Sequence, residues 1–189
     1  MDIWDKETWK FINTFAPWLS AIGTLAVVVV SLYLARRDKT IRLEVSAGHR
    51  LMVVPGQQIE PTEWLMIRII NIGHREAQIT NVGWEVGFFK KQRAIQMNFD
   101  TPPGQPGISS PIPVRLKDGE EAKYYIPLKT SEMDWIREMM IDTFLQPHPK
   151  IRSRFIKIQA FTSVGNVFQT RIEKGLRKKI LEEIKLNDS

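Results

Sequence analysis

The sequence predicts a mainly β domain that follows one N-terminal membrane-spanning helix. An uninterrupted run of 25 residues, Phe11 to Ala35, contains no Asp, Glu, Lys, Arg or His. After this run, apolar and polar residues alternate in several short segments, which is the pattern of half-buried strands. Asn, Asp and Gly residues separate the segments and favour tight turns. About 150 residues follow the run, enough for one domain with its own core.

The membrane-spanning helix is predicted over residues 17–35. At about 1.5 Å per residue, this stretch is close to the roughly 30 Å of a bilayer's hydrocarbon core. A buried helix of a soluble protein is the alternative, but residues 26–34 are apolar on every helical face. Acidic residues near the start of the chain, and Tyr33 near the end of the run, disfavour a cleaved signal peptide. The lipid bilayer is therefore the first predicted partner.

The predicted membrane-anchoring residues lie at the two ends of this helix, and they are Pro17, Trp18, Tyr33, Arg36 and Arg37. Pro17 suits a first helical turn, where its missing N–H would have no partner. Trp18 and Tyr33 match the aromatic belts at the two membrane interfaces. Residues 36–40 form a basic juxtamembrane segment. Residues 1–16 form a short N-terminal segment, either an interfacial helix or an unfolded leader.

The distribution of positive charge predicts the orientation of the helix, since basic residues stay on the cytoplasmic side. Lys6 and Lys10 precede the helix, whereas four basic residues follow it closely, namely Arg36, Arg37, Lys39 and Arg42. We therefore expect the N-terminus to face out and residues 36–189 to lie in the cytoplasm. The absence of cysteine is compatible with that reducing compartment.

One side of the helix carries small or β-branched residues at spacings of three and four, among them Ser20, Thr24, Val27 and Ser31. Such residues let two membrane helices approach closely, so a homo-oligomer formed through this face is predicted. The alternative is that these residues are simply common in membrane helices.

The strands are predicted, in chain order, over residues 41–47, 64–71, 77–89, 122–128 and a hairpin at 155–172. The second of them is almost entirely apolar, so we expect it to lie mid-sheet with both faces covered. In the third, the alternation of apolar and polar residues is interrupted at residues 81–83, which indicates a bulge. Residues 100–113 hold five prolines and predict an extended loop or edge.

Two helices complete the domain. The first is predicted over residues 131–145, capped by Ser131 and ended by Pro147. Its buried stripe would comprise Met133, Ile136, Met140 and Phe144. The second, within residues 173–189, is amphipathic and basic. Its Arg177, Lys178 and Lys185 are predicted contacts for anionic lipid, the alternative being a helix packed on the sheet.

About seven short strands with intervening turns predict an antiparallel β-sandwich of immunoglobulin-like architecture, or an open barrel, over residues 41–172. His74 and Arg75 follow a turn at the end of a predicted strand. They are candidate contacts for a protein partner, although a solvated charged loop explains them equally well.

No metal site or cofactor is expected, because the chain lacks cysteine and His49, His74 and His148 are far apart in sequence. No phosphate-binding loop, dinucleotide motif or nucleophile elbow is present, so we do not expect an enzyme. Beyond Ala35 the chain carries 25 Lys and Arg against 18 Asp and Glu. Nucleic acid is an unlikely partner because acids interrupt the basic groups, and anionic lipid is the nearer polyanion.

These patterns predict a single-pass, membrane-anchored interaction module that recruits or holds a protein partner at the cytoplasmic face of a membrane. The alternative is a small self-associating membrane protein that alters permeability, of the infection-interference or toxin type found in bacteria and phages.

Reporter fusions placed after Ser189 test the predicted orientation. A reporter active only in the cytoplasm should give signal, and one active only outside should stay silent, because the greater positive charge follows the helix. The opposite pattern would place the β domain outside and overturn the charge argument.

Overall fold

The computed structural model describes residues 6–52, 62–88, 90–97, 108–130 and 133–187. The chain divides into two units, with the boundary between Thr40 and Ile41.

The first unit is one continuous helix, α1 (Lys6–Lys39). It is the one helix among the described residues that is long and apolar enough to cross a membrane. Its described apolar side chains are exposed, for example Trp18 at 70% and Leu25 at 66%. Pro17 lies inside the helix and not in its first turn, so the expectation that the helix begins there is wrong. The helix already begins at Lys6. Pro17 removes one backbone hydrogen bond from it, because proline has no N–H to donate.

The second unit contains eight strands among its described residues: β1 (Leu43–Met52), β2 (Thr62–Asn71), β3 (Ala77–Val86), β4 (Gln92–Ile95), β5 (Val114–Leu116), β6 (Glu121–Pro127), β7 (Lys157–Thr162) and β8 (Val167–Arg171). One sheet has the order β1-β2-β6, and the other has the order β4-β3-β7-β8, with β5 also paired to β3. Every pairing is antiparallel. The predicted antiparallel β domain is therefore confirmed.

The predicted strands are present, with one correction. The hairpin β7–β8 is confirmed. β3 has an irregularity, but the register shift lies between Ile79 and Asn81, just before the predicted residues 81–83. β2 is the middle strand of its sheet, as expected, but only one of its faces is fully covered. Leu65 and Ile67 are buried, whereas Trp64 and Met66 on the opposite face are half-buried. The second face was predicted to be buried because nearly every residue of β2 is apolar, so the sequence does not distinguish buried from exposed positions.

The helix expected over residues 131–145 is a π-helix (Trp135–Phe144) capped by Asp134. The Asp134 carboxylate accepts from the N–H of Arg137 at 3.1 Å, so it caps the helix in place of Ser131, which lies outside the described residues. The N–H of Leu145 donates to the Met140 carbonyl at 2.8 Å, which is the five-residue spacing of a π-helix. The buried stripe contains three of the predicted residues, Ile136, Met140 and Phe144, whereas Met133 is half-buried.

Two short helical segments and one longer helix complete the unit: α2 (Pro149–Arg152), a 3-10 turn (Ser153–Phe155) and α3 (Lys174–Asn187). α3 buries Leu176, Ile180 and Ile184, one residue every four, and contacts β1 and the π-helix. The predicted amphipathic C-terminal helix is therefore present, and its apolar stripe packs on the domain.

Both sheets, the π-helix and α3 contribute to one hydrophobic core. Two tryptophans lie in it, Trp84 on β3 and Trp135 on the π-helix, with ring centroids 5.3 Å apart. The Trp84 indole N–H donates to the buried side chain of Gln96 at 3.0 Å, so the polar group of Trp84 is paired although the residue is buried.

Asn71, at the end of β2, is fully buried and hydrogen-bonded through its whole amide. Its Nδ2 donates to the carbonyls of Arg75 and Leu116 at 2.8 and 2.9 Å, and its Oδ1 accepts from the N–H of Gly73 at 3.0 Å. Leu116 belongs to β5. A single side chain thus connects the two sheets.

The outer edge of β6 is covered by Ser109 and Ser110, which lie in the proline-rich stretch. The Ser109 and Ser110 hydroxyls accept from the N–H groups of Tyr125 and Lys123 at 2.8 and 3.0 Å. The N–H of Ser110 donates to the Lys123 carbonyl at 2.7 Å. Residues 98–107, which include most of the predicted loop, lie outside the described residues.

Replacing Asn71 with Ala should lower the free energy of unfolding by about 3 kcal/mol, because two buried carbonyls and one N–H would lose their partner. Chemical denaturation of the full chain in detergent measures this change. Asn81→Ala, at an exposed position on β3, is the matched control and should change stability by less than about 0.5 kcal/mol. Equal effects of the two substitutions would contradict the assigned role.

Candidate functional site

The predicted anchoring residues lie along the exposed helix α1. Trp18 and Tyr33 are separated by about 22 Å of helix and are 70% and 64% exposed. Arg36 is exposed near the end of α1, and Arg37 follows it in the helix, its side chain lying outside the described part. The arrangement is that of an apolar rod with aromatic residues towards both ends.

The candidate self-association residues Ser20, Thr24, Val27 and Ser31 are all exposed on α1. The Thr24 hydroxyl donates to the Ser20 carbonyl within the helix at 2.9 Å. That bond leaves the hydroxyl satisfied without a second helix. We therefore expect this stripe to hold another helix by close packing, and not by a hydrogen bond donated by Thr24.

His74 and Arg75 lie in the loop between β2 and β3, where the structure gives His74 a partner within the chain. Its Nδ1 is 2.7 Å from the Asp118 carboxylate in the turn before β6. Arg75 is exposed, and its carbonyl accepts from Asn71. Both residues are exposed, as a partner contact or a solvated charged loop would be.

The three candidate lipid contacts on α3 are brought beside two further cations on α2 and the 3-10 turn. They line a cavity of about 330 Å³, here called the basic cleft, whose lining residues are Lys150, Arg154, Arg177, Lys178, Leu181, Glu182 and Lys185. Five cations thus surround one carboxylate and one apolar side chain. In the sequence, Lys150 and Arg154 stand out as part of a basic group, but the whole β7–β8 hairpin separates them from α3, so their place beside that helix was not predicted.

Local structure fixes the walls of the basic cleft. On one side, the buried Ser153 hydroxyl donates to the Lys150 carbonyl at 2.9 Å and holds the turn that leads to Arg154. On the other, the buried stripe of α3 sets the rotation of that helix. Arg177, Leu181 and Lys185 are spaced by four residues and therefore line one strip of its outer side.

The basic cleft runs along α3 from Arg177 to Lys185, which lies in the last turn of the helix. The Arg177 Nε atom is buried and has no hydrogen-bond partner among the described residues. Lys178 is 3.8 Å from Glu182, which is the one carboxylate of the cleft.

A second candidate surface lies on the outer side of the three-stranded sheet and was missed from the sequence. It is lined by Arg50, Leu51, Met52, Trp64, Met66 and Tyr125 around a cavity of about 340 Å³, and it is called the aromatic face below. The Trp64 and Tyr125 rings meet edge to face with centroids 6.4 Å apart. The one signal in the sequence is Arg68, an exposed charged residue on the same face of β2 as Trp64 and Met66.

Gly48 lets an ion pair form the border of the aromatic face. It lies opposite Met66 in the register, and a Cβ atom there would come within 2.3 Å of the Glu173 carboxylate. Arg50 donates to both carboxylate oxygens of Glu173 at 2.9 Å, which raises the pKa of Arg50. The bidentate pair holds the guanidinium in a fixed position.

Glu85 is the one buried carboxylate among the described residues, at 2% exposure on β3. It accepts from Arg93 at 2.9 Å and from Gln159 at 3.3 Å, and Lys91 and Lys157 lie 3.5 and 3.8 Å away. Burial alone would raise the pKa of Glu85, but the Arg93 hydrogen bond and the charges of Lys91 and Arg93 hold it below 4.5. A carboxylate ionised in this way serves as a structural anion and not as a proton donor near neutral pH.

Within the described parts of the chain, no group of three or more His, Asp or Glu side chains could hold a metal ion.

Comparisons with known proteins give no family. No protein-family model matches the chain, and no curated protein matches it in sequence. A crystal structure of a Bordetella pertussis protein provisionally named ApaA shares 19% identity over 71% of this chain and 91% of that one, with a TM-score of 0.29. The structural-genomics target SoR45 shares 15% identity over 72% and 84%, with a TM-score of 0.23. Neither likeness supports an argument about function.

Acid should destabilise the wild type more steeply than a Glu85→Gln variant. Because the folded pKa of Glu85 is lowered, its stabilising contribution is present above the unfolded value of 4.5 and is lost as pH falls through the folded value. Denaturation midpoints of the full chain, measured from neutral pH to about pH 3, report this slope. Glu44→Gln, at an exposed position on β1, should keep the wild-type slope. A Glu85→Gln slope equal to that of the wild type would contradict the assignment.

Proposed function

We propose that the protein is a single-pass, membrane-anchored interaction module that holds a protein partner at the cytoplasmic face of a membrane. The observation that carries this proposal is the aromatic face, where Trp64, Met66 and Tyr125 stay half-exposed on rigid strands. Trp, Tyr, Met and Arg are the residues most enriched where proteins bind one another.

The helix α1 supplies the anchor in this proposal. Its described apolar side chains are exposed, and a bilayer would remove them from water. The greater positive charge after the helix favours an outward N-terminus and a cytoplasmic domain. The partner would then be a cytoplasmic protein.

The domain itself is proposed to be an immunoglobulin-like sandwich. Its support is the pair of antiparallel sheets of three and five strands that share one core. Binding residues that lie on the strands of a sandwich are already ordered, so little conformational entropy is lost when a partner binds them. The Arg50–Glu173 pair adds a fixed cation at the border of the aromatic face.

The occupant we infer for the aromatic face is an apolar side chain of the partner, inserted beside the Trp64 and Tyr125 rings. A cavity of about 340 Å³ accommodates one large aliphatic or aromatic side chain. Leu51 and Met52, which are 58% and 37% exposed, extend the apolar surface around it.

The alternative function, a self-associating membrane protein that alters permeability, stays a prediction. The small-residue stripe of Ser20, Thr24, Val27 and Ser31 is its support, because it permits close contact between two copies of α1.

A photo-crosslinking residue in place of Tyr125 should trap one cytoplasmic protein in intact cells, and the same residue in place of Val167 should not. Val167 is 47% exposed on β8, in the other sheet, and so serves as the matched position. Adding Trp64→Ala should weaken the adduct, since losing an interface tryptophan costs about 2 kcal/mol, roughly thirtyfold in affinity. The same adducts from both positions, or an adduct indifferent to Trp64→Ala, would reject the aromatic face as the binding surface.

A further inference from the structure

We propose that the outer side of the five-stranded sheet binds an acidic segment of a protein. The contact surface is a group of four cations, here called the basic strip, which comprises Lys91, Arg93, Lys157 and Arg171. The basic strip and the aromatic face belong to different sheets. The proposal therefore stands or falls independently of the partner proposed for the aromatic face.

The register of the strands brings three of these cations into one row. Glu85 on β3 lies opposite Arg93 on β4 and opposite Lys157 on β7. Lys157 in turn lies opposite Arg171 on β8. Opposite residues project from the same face of a sheet, and the neighbours of Glu85 along β3 belong to the core, so the row lies on the outer face. Lys91 directly precedes β4 and approaches the same carboxylate at 3.5 Å.

The single carboxylate of the basic strip is hidden from solvent, whereas the cations are not. Among the described residues, every ion pair made by the basic strip is made with Glu85. Glu85 is 2% exposed, but the side chains of Lys91 and Arg93 are 47% and 65% exposed. A molecule that approaches this side of the sheet therefore meets positive charge, which attracts carboxylates.

The arginines of the basic strip have hydrogen-bond donors to spare. Arg93 donates its Nε–H to Glu85 at 2.9 Å, and its two terminal nitrogens make no hydrogen bond within the described chain. Arg171 is exposed, and its side chain makes neither a hydrogen bond nor an ion pair with the described residues. A guanidinium can donate two parallel hydrogen bonds to one carboxylate. Glu85 thus positions Arg93 and leaves the rest of its guanidinium for a carboxylate of another molecule.

Lys157 and Arg171 repel each other at a place where the sheet brings side chains close. The N–H of Ile172 donates to the Ile156 carbonyl at 3.4 Å, so the adjacent pair, Lys157 and Arg171, is a non-hydrogen-bonded pair. Side chains approach most closely in such pairs, and like charges directly opposite each other destabilise a sheet. A carboxylate from another molecule, bound beside Arg171, would offset this repulsion.

The surface beside the basic strip favours a peptide over a nucleic acid. The next row along the strands places Ile95 opposite Gly83, which has no side chain, and its far end is Gln169. Ile95 is 52% exposed and Gln169 is exposed, so they offer contacts to an apolar side chain and to a peptide backbone. Among the described residues of these strands, the one aromatic side chain on this face is Phe161, which is half-buried. Single-stranded nucleic acid binds instead on exposed aromatic rings.

Fluorescence anisotropy with the full chain in phosphatidylcholine nanodiscs tests this proposal, because that lipid carries no net charge. One probe is a short labelled peptide of glutamates with a single leucine, and its reference has glutamine in place of glutamate. Another probe is a labelled oligouridylate. We expect the glutamate peptide to bind at least about tenfold more tightly than the glutamine peptide, with an affinity that falls as salt is added. No such preference, or tighter binding of the oligouridylate, would overturn the proposal.

The substitution Arg171→Glu should weaken binding of the glutamate peptide by about tenfold, because an attraction becomes a repulsion. The matched control is Lys117→Glu, which gives the same change in net charge in an exposed turn before β6 and should change the affinity by less than about twofold. Arg171→Gln should cost about threefold, and it decides the outcome if the charge reversal disturbs folding. Equal losses at Arg171 and Lys117 would show that the peptide responds to net charge alone, which would overturn the basic strip as its site.

Discussion

The buried amide of Asn71 is the connection on which the arrangement of this domain depends. It joins the end of β2, in the three-stranded sheet, to β5, which pairs with β3 of the other sheet. The backbone of Asn71 takes part as well, since its N–H donates to Glu120 and its carbonyl accepts from Gly119. A hydrocarbon side chain could fill the same space, but it could not specify which loop carbonyls meet there. This amide therefore holds the end of β2 and the loop that follows it against β5.

Local patterns in the sequence predicted much of the fold but little of the sites. Alternation at β1, β6 and β8 could be recognised because each of these strands has one face that is more covered than the other. The aromatic face was not predicted because β2 carries apolar residues on both sides, so Trp64 and Met66 were expected to be buried. Only the pairing of Met66 with Gly48 and Tyr125 shows that this side is open.

Other features could not be predicted because they depend on contacts distant in sequence. The π-helix winding is one, since a backbone bond to the fifth residue differs from an α-helix only in detail and is selected by packing around Trp135. The basic cleft is another. The charges of α3 were visible, but a helix surface becomes a cavity only when Lys150 and Arg154 stand opposite it.

The covered edge of β6 limits how this domain can meet other proteins. Ser109 and Ser110 occupy the hydrogen-bonding positions that an incoming strand would need. A partner therefore cannot add a strand to the three-stranded sheet on that side while these bonds persist. The same two serines also matter during folding. Until they bind β6 during folding, its edge can pair with an extended segment of another copy of the chain, which is a route to misassembly.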